Sequence, residues 1–337
     1  MKEVINLLGA RTKLVDSPIP TINDDQVLIK VIVSGSNPKD WKAPDWANSP
    51  AKPLGEQNEM IRLGINQGDD IAGEVVEVGK DVVEFKKGDR VAAFHEMLTP
   101  GGSFAEYAVA WSHTTFHLPH ETSFEEAATI PLAALTAVIS LYHHLALPLP
   151  WTPATKANPR ARTPLIIYGA STAVGSFAIK LARQSNVHPI VAIAGGRVEQ
   201  ATVSAVKSVL ESQGLVANHA LDTIMSEDST AVMKGVVNPG GKVNYVLPDV
   251  PDVSPGVASL TFVSAAHLGG GEDDCRDLCA AFCRWFTRAL AGGRWTGHPV
   301  MVREGGLGGV QGAMEDLRDG KASAVKYVFR VGETAGL

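Results

Sequence analysis

Apolar and polar positions follow two regimes along this chain. In the run QVLIKVIVSG, Val27, Ile29, Val31 and Val33 share one face and Leu28, Lys30 and Ile32 the other, which predicts a strand with one side better buried. Together with VINLLGARTKLV, the turn-forming SPIPTINDD, and the later GDDIAGEVVEVG and FKKGDRV, it predicts an all-β beginning. The period changes at ETSFEEAATIPLAALTAVISLYHHL. Thr122 or Ser123 can cap a helix there, Glu125 and Glu126 favour its positive end, and Pro131 should divide the run into two helices.

Leu165–Tyr168 then reads as a parallel strand buried on both faces, followed by Val174, Phe177, Ala178, Leu181 and Ala182 at helical spacing. Further parallel strands are expected at 188–197, 218–224, 241–248 and 259–265, with NPGGK a turn by composition. A helix over CRDLCAAFCRWFTRALAGG, a strand near GHPVMVRE, a helix over GGVQGAMEDLRDGKA and a strand AVKYVFRV close the chain.

A length of 337 residues suits two domains, each with enough chain for a core. The net charge of −6, with no basic run, removes the electrostatics that nucleic-acid binding needs. No window holds the ~18 consecutive apolar residues of a membrane span, and the N-terminus lacks a long apolar stretch, so a cytoplasmic protein is expected. Cys275, Cys279 and Cys283 lie along one side of a single helix, a reduced packing face rather than a disulfide or metal framework. His113, His117 and His120 have metal-like gaps, but Pro119 and a strand-like setting deny them a common helical face.

Two stretches carry candidate chemistry. Gly169-Ala170-Ser171-Thr172-Ala173-Val174-Gly175 joins the strand to the helix through small residues, letting backbone N–H groups and the positive helix end approach a pyrophosphate. An ordinary buried strand-to-helix turn is the plain alternative, and a nucleophile elbow lacks its second glycine. The other stretch, Ser36-Asn37-Pro38-Lys39-Asp40-Trp41-Lys42, is a polar loop after a strong strand, with Asp40 able to cap the short helix that follows. Its plain reading is a capped turn with a solvated lysine.

NPKDWK, GDDIAGEVVEVG, FKKGDRV and GGSFAEYAVA together resemble the N-terminal barrel of the medium-chain dehydrogenase/reductase superfamily, and the resemblance covers nearly the whole chain. Zinc-dependent members place histidine and glutamate at the positions of Asp69 and Asp70 and carry a four-cysteine lobe. This chain has neither, so it resembles the zinc-independent branch, with no metal expected. The proline-rich insertion ALPLPWTPATKANPRART, carrying Lys156, Arg160 and Arg162, is similar to one in the trans-acting enoyl reductases of fungal polyketide synthases. Thr172 and Ala173 stand where the usual G-x-S-G-G-V-G turn has glycines, so Thr172 must turn away from the phosphates or bond to one.

The resemblance implies an α/β fold: a GroES-like β-barrel domain (1–125 and 288–337) and a Rossmann-type doubly wound parallel sheet (126–287). TVSAVKSVLESQGLVAN runs directly into HALDTIM, so a strand and a helix found in relatives, with a tyrosine that flanks the adenine end, are expected to be missing, costing the sheet one edge strand. NADPH is the implied cofactor, held by Lys39, Lys42, Gly169, Ser171, Thr172, Ala173, Val174, Gly175, Gly195, Gly196, Arg197, Leu247, Val325 and Lys326. A second strand ending in Gly-Gly-Arg rather than an acid suits a ribose 2′-phosphate, with Glu199 the one nearby residue opposing it.

Lys42, oriented by Asn37 and Asp40, and Thr136 are the implied catalytic contacts; Thr136, Ser140, His143, Ala266 and His267 are the implied substrate contacts. The expected reaction is NADPH-dependent reduction of an α,β-unsaturated polyketide acyl thioester by a monomer or homodimer working with a polyketide synthase. A quinone or free-enone reductase, or a redox-inactive relative acting as a binding partner or cofactor-free catalyst, are the rival readings.

Overall fold

The computed structural model describes residues 1–49, 57–155, 163–195, 199–268 and 274–337. In chain order, a hairpin of β1 (Lys2–Leu7) and β2 (Arg11–Asp16) precedes β3 (Gln26–Gly35), α1 (Lys39–Ala47), α2 (Gln57–Leu63), β4 (Asp70–Val78), β5 (Arg90–Phe94), β6 (Tyr107–Trp111) and β7 (Thr115–His117). Next come α3 (Phe124–Ala127) and α4 (Pro131–Val138), divided at Pro131 as the sequence predicts, and a π-helical segment Ile139–His144. Then follow β8 (Leu165–Tyr168), α5 (Ala173–Gln184), β9 (Ile190–Ile193), α6 (Glu199–Glu211), β10 (Ala217–Asp222), α7 (Glu227–Val236), β11 (Val237–Tyr245) and β12 (Val257–Leu260). The chain ends with α8 (Arg276–Ala291), β13 (Val300–Arg303), α9 (Val310–Arg318) and β14 (Lys326–Arg330).

These elements form two units, 1–132 with 266–337, and 133–265. The first carries a seven-stranded sheet in the order β13-β14-β3-β4-β5-β7, with β6 paired to β3. Val27, Ile29, Val31, Ile71, Val75, Val91, Phe104 and Phe329 share its core, so the alternation read in β3 does face the interior. Helix α8 belongs to the first of these units because it packs on the barrel strands. Arg284 on α8 donates to the carbonyls of Ser112 (3.1 Å) and Thr115 (3.0 Å), and the Thr287 hydroxyl donates to the His117 carbonyl (3.1 Å).

The second unit holds a parallel sheet in the order β12-β11-β10-β8-β9. Ile166, Ala220 and Val243 line one of its faces, covered by Val203, Val206 and Leu210 from α6 and by Val232, Met233 and Val236 from α7. Helix α6 leads straight into β10, and β9 is the outermost strand among the described residues. NPGGK departs from its reading as a turn between strands, since it lies within β11. Pairing with β10 jumps there from Ala217↔Val237 to His219↔Lys242, and Gly240 takes φ +78°, so it is a bulge in the strand. By length and composition the helical stretch Phe124–His144 could cross a membrane, which the sequence count missed; 83% of its most apolar window is buried inside the protein.

Candidate active site

In the nucleotide-type turn the two retained glycines are demanded by geometry. Gly169 has φ +80°, and a Cβ there would meet Thr223 Oγ1 at 2.2 Å; a Cβ on Gly175 would meet the Gly169 carbonyl oxygen at 2.3 Å. The two substituted positions are satisfied locally. Thr172 turns its hydroxyl back to cap α5, accepting from Gly175 N–H at 3.0 Å, and shares a hydrogen bond with Thr223 Oγ1 at 2.9 Å. The N–H groups of Gly169 and Ala170 donate to the Ile193 carbonyl (2.9 and 3.0 Å), and that of Thr172 donates to the Gly169 carbonyl (2.9 Å).

What remains are the N–H groups of Ser171, Ala173 and Val174, which meet no acceptor among the described residues. Ser171 is exposed and Ala173 and Val174 are half-buried. Three unshared amides at the positive end of a twelve-residue helix fit a diphosphate. Gly195 follows at φ +65°, and a Cβ there would meet none of the described residues, while Gly196 and Arg197 lie outside them. Leu247, read as a cofactor contact, spends its N–H on the Met225 sulfur at 3.0 Å.

The loop after β3 is wired by residues far along the chain. Asn37 donates through Nδ2 to Asp70 (2.6 Å) and accepts from Lys326 Nζ (3.0 Å), and Lys326 also pairs with Asp70. Asp40 is not the residue that caps α1 from outside. It sits inside the first turn and reaches back to accept the Asn37 N–H at 2.7 Å. Lys39 is ion-paired to Asp69, lies 3.4 Å from Asp40 and donates to the Gln67 carbonyl at 2.6 Å. Lys39 and Lys326, read as cofactor contacts, are thus committed to buried carboxylates, and Val325 packs against the barrel core.

Burial pushes the Asp40 carboxyl up to about 8; Lys39 opposes that rise, and Asp69 and Asp70 add to it. Burial pulls Lys39 down, but Asp69 and Asp40 outweigh it and leave the ammonium more firmly charged than usual. Lys42 differs from its neighbour. It is half-buried, its pKa is lowered by burial, and its ammonium meets only the Trp41 ring, 5.7 Å from the centroid, among the described residues.

Thr136 and Ser140 are buried, and Ser140 Oγ lies 3.0 Å from Thr261 Oγ1, which donates to Asn244. His143 is exposed. Ala266 and His267, implied as substrate contacts, are buried in the first unit. His267 Nε2 lies 3.3 Å from both Thr114 Oγ1 and the Phe94 carbonyl, and His113 Nε2 lies 3.2 Å from the Ala266 carbonyl. Burial drives both imidazoles down, His113 to about 4 and His267 to about 3, so they pin this segment as neutral rings. Among the described residues no group of three or more His, Cys, Asp or Glu side chains is placed to hold a metal ion. The Gln67 clasp on Lys39 and the Thr223 clasp on Thr172 have no signal in the sequence; the Asp69-Asp70 doublet at the entry to β4 has one, since two adjacent acids leading into Ile-Ala-Gly need partners if buried.

Residues 23–120 match the alcohol dehydrogenase GroES-like domain. The chain is 38% identical over 332 residues to the trans-enoyl reductase fsr4 of Gibberella fujikuroi, covering 90% of this chain and 91% of that protein. It is 30% identical over 373 residues to the trans-enoyl reductase resD of Aspergillus sclerotiorum, covering 98% and 100%. This chain belongs to the trans-enoyl reductases of the medium-chain dehydrogenase/reductase superfamily. The structure of the quinone oxidoreductase from Coxiella burnetii superposes with a TM-score of 0.71 at 21% identity, covering 98% of this chain and 99% of that one, a likeness of fold. As a trans-enoyl reductase the chain is an oxidoreductase, and the β-barrel unit and parallel-sheet unit are those its sequence resemblance implied.

Proposed function

We propose that this protein reduces the α,β double bond of a polyketide acyl thioester carried by a partner polyketide synthase, with NADPH as the reductant. The observation that carries the reading is the set of unshared amides at Ser171, Ala173 and Val174, at the positive end of α5 after a turn of small residues. NADPH over NADH rests on the Gly195-Gly196-Arg197 ending of the second strand. The names carried by the relatives support the enoyl chemistry and the trans-acting partnership.

The bound cofactor would supply the hydride that adds at Cβ. The chain's own task is to aim donors at the thioester oxygen, where negative charge develops, and to keep water away. Lys42 suits that task because its ammonium is shared with no carboxylate among the described residues and is already partly stripped of water. Asn37 and Asp40 hold the turn from which Lys42 projects.

Calorimetric titration should give NADPH binding at micromolar levels or tighter, about −8 kcal/mol. NADPH consumption should follow addition of an enoyl thioester and not of a small quinone; the reverse preference would favour a free-enone or quinone reductase. Absence of NADPH binding would leave a redox-inactive relative. Arg197→Ala should weaken NADPH far more than NADH, and equal losses would refute the phosphate role.

A further inference from the structure

Helix α1 is a poor helix by its own composition. It has nine residues, two of them tryptophan, with Pro44 inside it. Pro44 offers no N–H to the Asp40 carbonyl, and that carbonyl instead accepts from Asn6 Nδ2 at 3.2 Å. The same Asn6 accepts the Gln67 N–H at 3.1 Å, so one side chain ties the start of α1 to the strand entry before β4.

Lys39 makes a second, charged tie between the same two segments. Its ammonium is ringed by four oxygens: Asp69 Oδ2, the Gln67 carbonyl (2.6 Å), Gln67 Oε1 (3.4 Å) and Asp40 Oδ1 (3.4 Å). Its side chain is 11% exposed, and Asp40, Gln67 and Asp69 are buried. This is a cation site in which the cation belongs to the chain. Three positions on, Lys42 has no such partner among the described residues, and its half-burial depends on where α1 lies.

We propose that Lys39 is a positioning residue: a tethered counter-cation that clamps the first turn of α1 onto Gln67–Asp69 and so holds Lys42 in its partly desolvated place. The role matters for catalysis only if Lys42 is the donor assigned above, but it is tested without cofactor or substrate. Competitive acylation of the intact protein with acetic anhydride across a pH series, read by mass spectrometry, reports each amine separately.

In the unaltered protein Lys39 should be acylated at least ~10-fold more slowly than exposed Lys13, because its ammonium must leave a buried ring of acceptors first. Lys42 should show a midpoint below the ordinary lysine value. Lys39→Met should raise the Lys42 midpoint to the ordinary lysine value and lower the thermal midpoint by roughly 10 °C, since it strands buried carboxylates. Lys39→Arg, which keeps the cation, should retain the low Lys42 midpoint, and methylammonium should restore it in Lys39→Met. A folded Lys39→Met protein with an unchanged Lys42 midpoint would overturn the proposal. Equally fast acylation of Lys39 and Lys13 in the unaltered protein would do the same, and that comparison needs no variant to fold. Failure of NADPH to bind would count against the enoyl reductase reading and leave these outcomes untouched.

Discussion

The glycine turn at 169–175 and the polar loop at 36–42 reach their chemistry by opposite routes. In the turn the useful groups are backbone amides, and side chains matter by being small or by folding back, as Thr172 does onto Gly175. In the loop the group proposed to act is one side chain, Lys42, while Asn37 is spent on Asp70 and Lys326, Lys39 on Asp69 and Gln67, and Asp40 on the Asn37 N–H. A backbone site asks for absence of bulk at fixed spacing. A side-chain site asks for a partner for every buried charge but one.

That contrast breaks first at Lys42. Lys42→Met should lower turnover of an enoyl thioester by about 10²–10³-fold, the usual cost of losing one donor to a developing oxyanion, with NADPH affinity within a few-fold in calorimetry. Loss of NADPH affinity instead would make Lys42 a cofactor contact only. In the turn the damaging change is an added carbon: Gly175→Ala, with its Cβ 2.3 Å from the Gly169 carbonyl oxygen, should weaken NADPH by at least ~10-fold in the same titration.

Asp40 offers a smaller test through pH. Its folded pKa, about 8, lies above the ordinary carboxylate value, so the folded state binds the extra proton. Its contribution to stability is therefore fully present below pH ~4 and is lost as pH rises through about 8. Asp40→Asn should flatten the decline of thermal midpoint between these limits; an unaltered slope would place the proton elsewhere. Smallest of all, Thr172→Ala should cost about 1 kcal/mol of stability in denaturant unfolding by removing the cap, while NADPH affinity stays close to the original. A large loss of affinity would mean that the hydroxyl serves the phosphates after all.

The turn was legible because backbone geometry writes itself into spacing: Gly169, Gly175 and the helical period of Phe177, Ala178 and Leu181 are all local. The barrel strands were legible for the same reason, through alternation in β3 and the GDDIAGEVVEVG segment. Lys39 and Lys326 were not, since nothing local says that Asp69 lies beside one and that Asp70, 256 residues from Lys326, lies beside the other. The burial of His267 was not legible, because Phe94 and Thr114, which it meets, lie more than 150 residues earlier in the chain. The bulge at NPGGK shows a further limit. Composition marks where a backbone bends, and pairing on the neighbouring strand decides whether the bend ends the strand.

Both Gly169 and Ala170 hang their N–H groups on one carbonyl, that of Ile193, at the tip of β9. Among the described residues β9 is the border of its sheet, with a neighbour on one flank only. The proposed diphosphate cradle is therefore suspended from the selvedge of the fabric, and fraying there would slacken it before any deeper strand had moved.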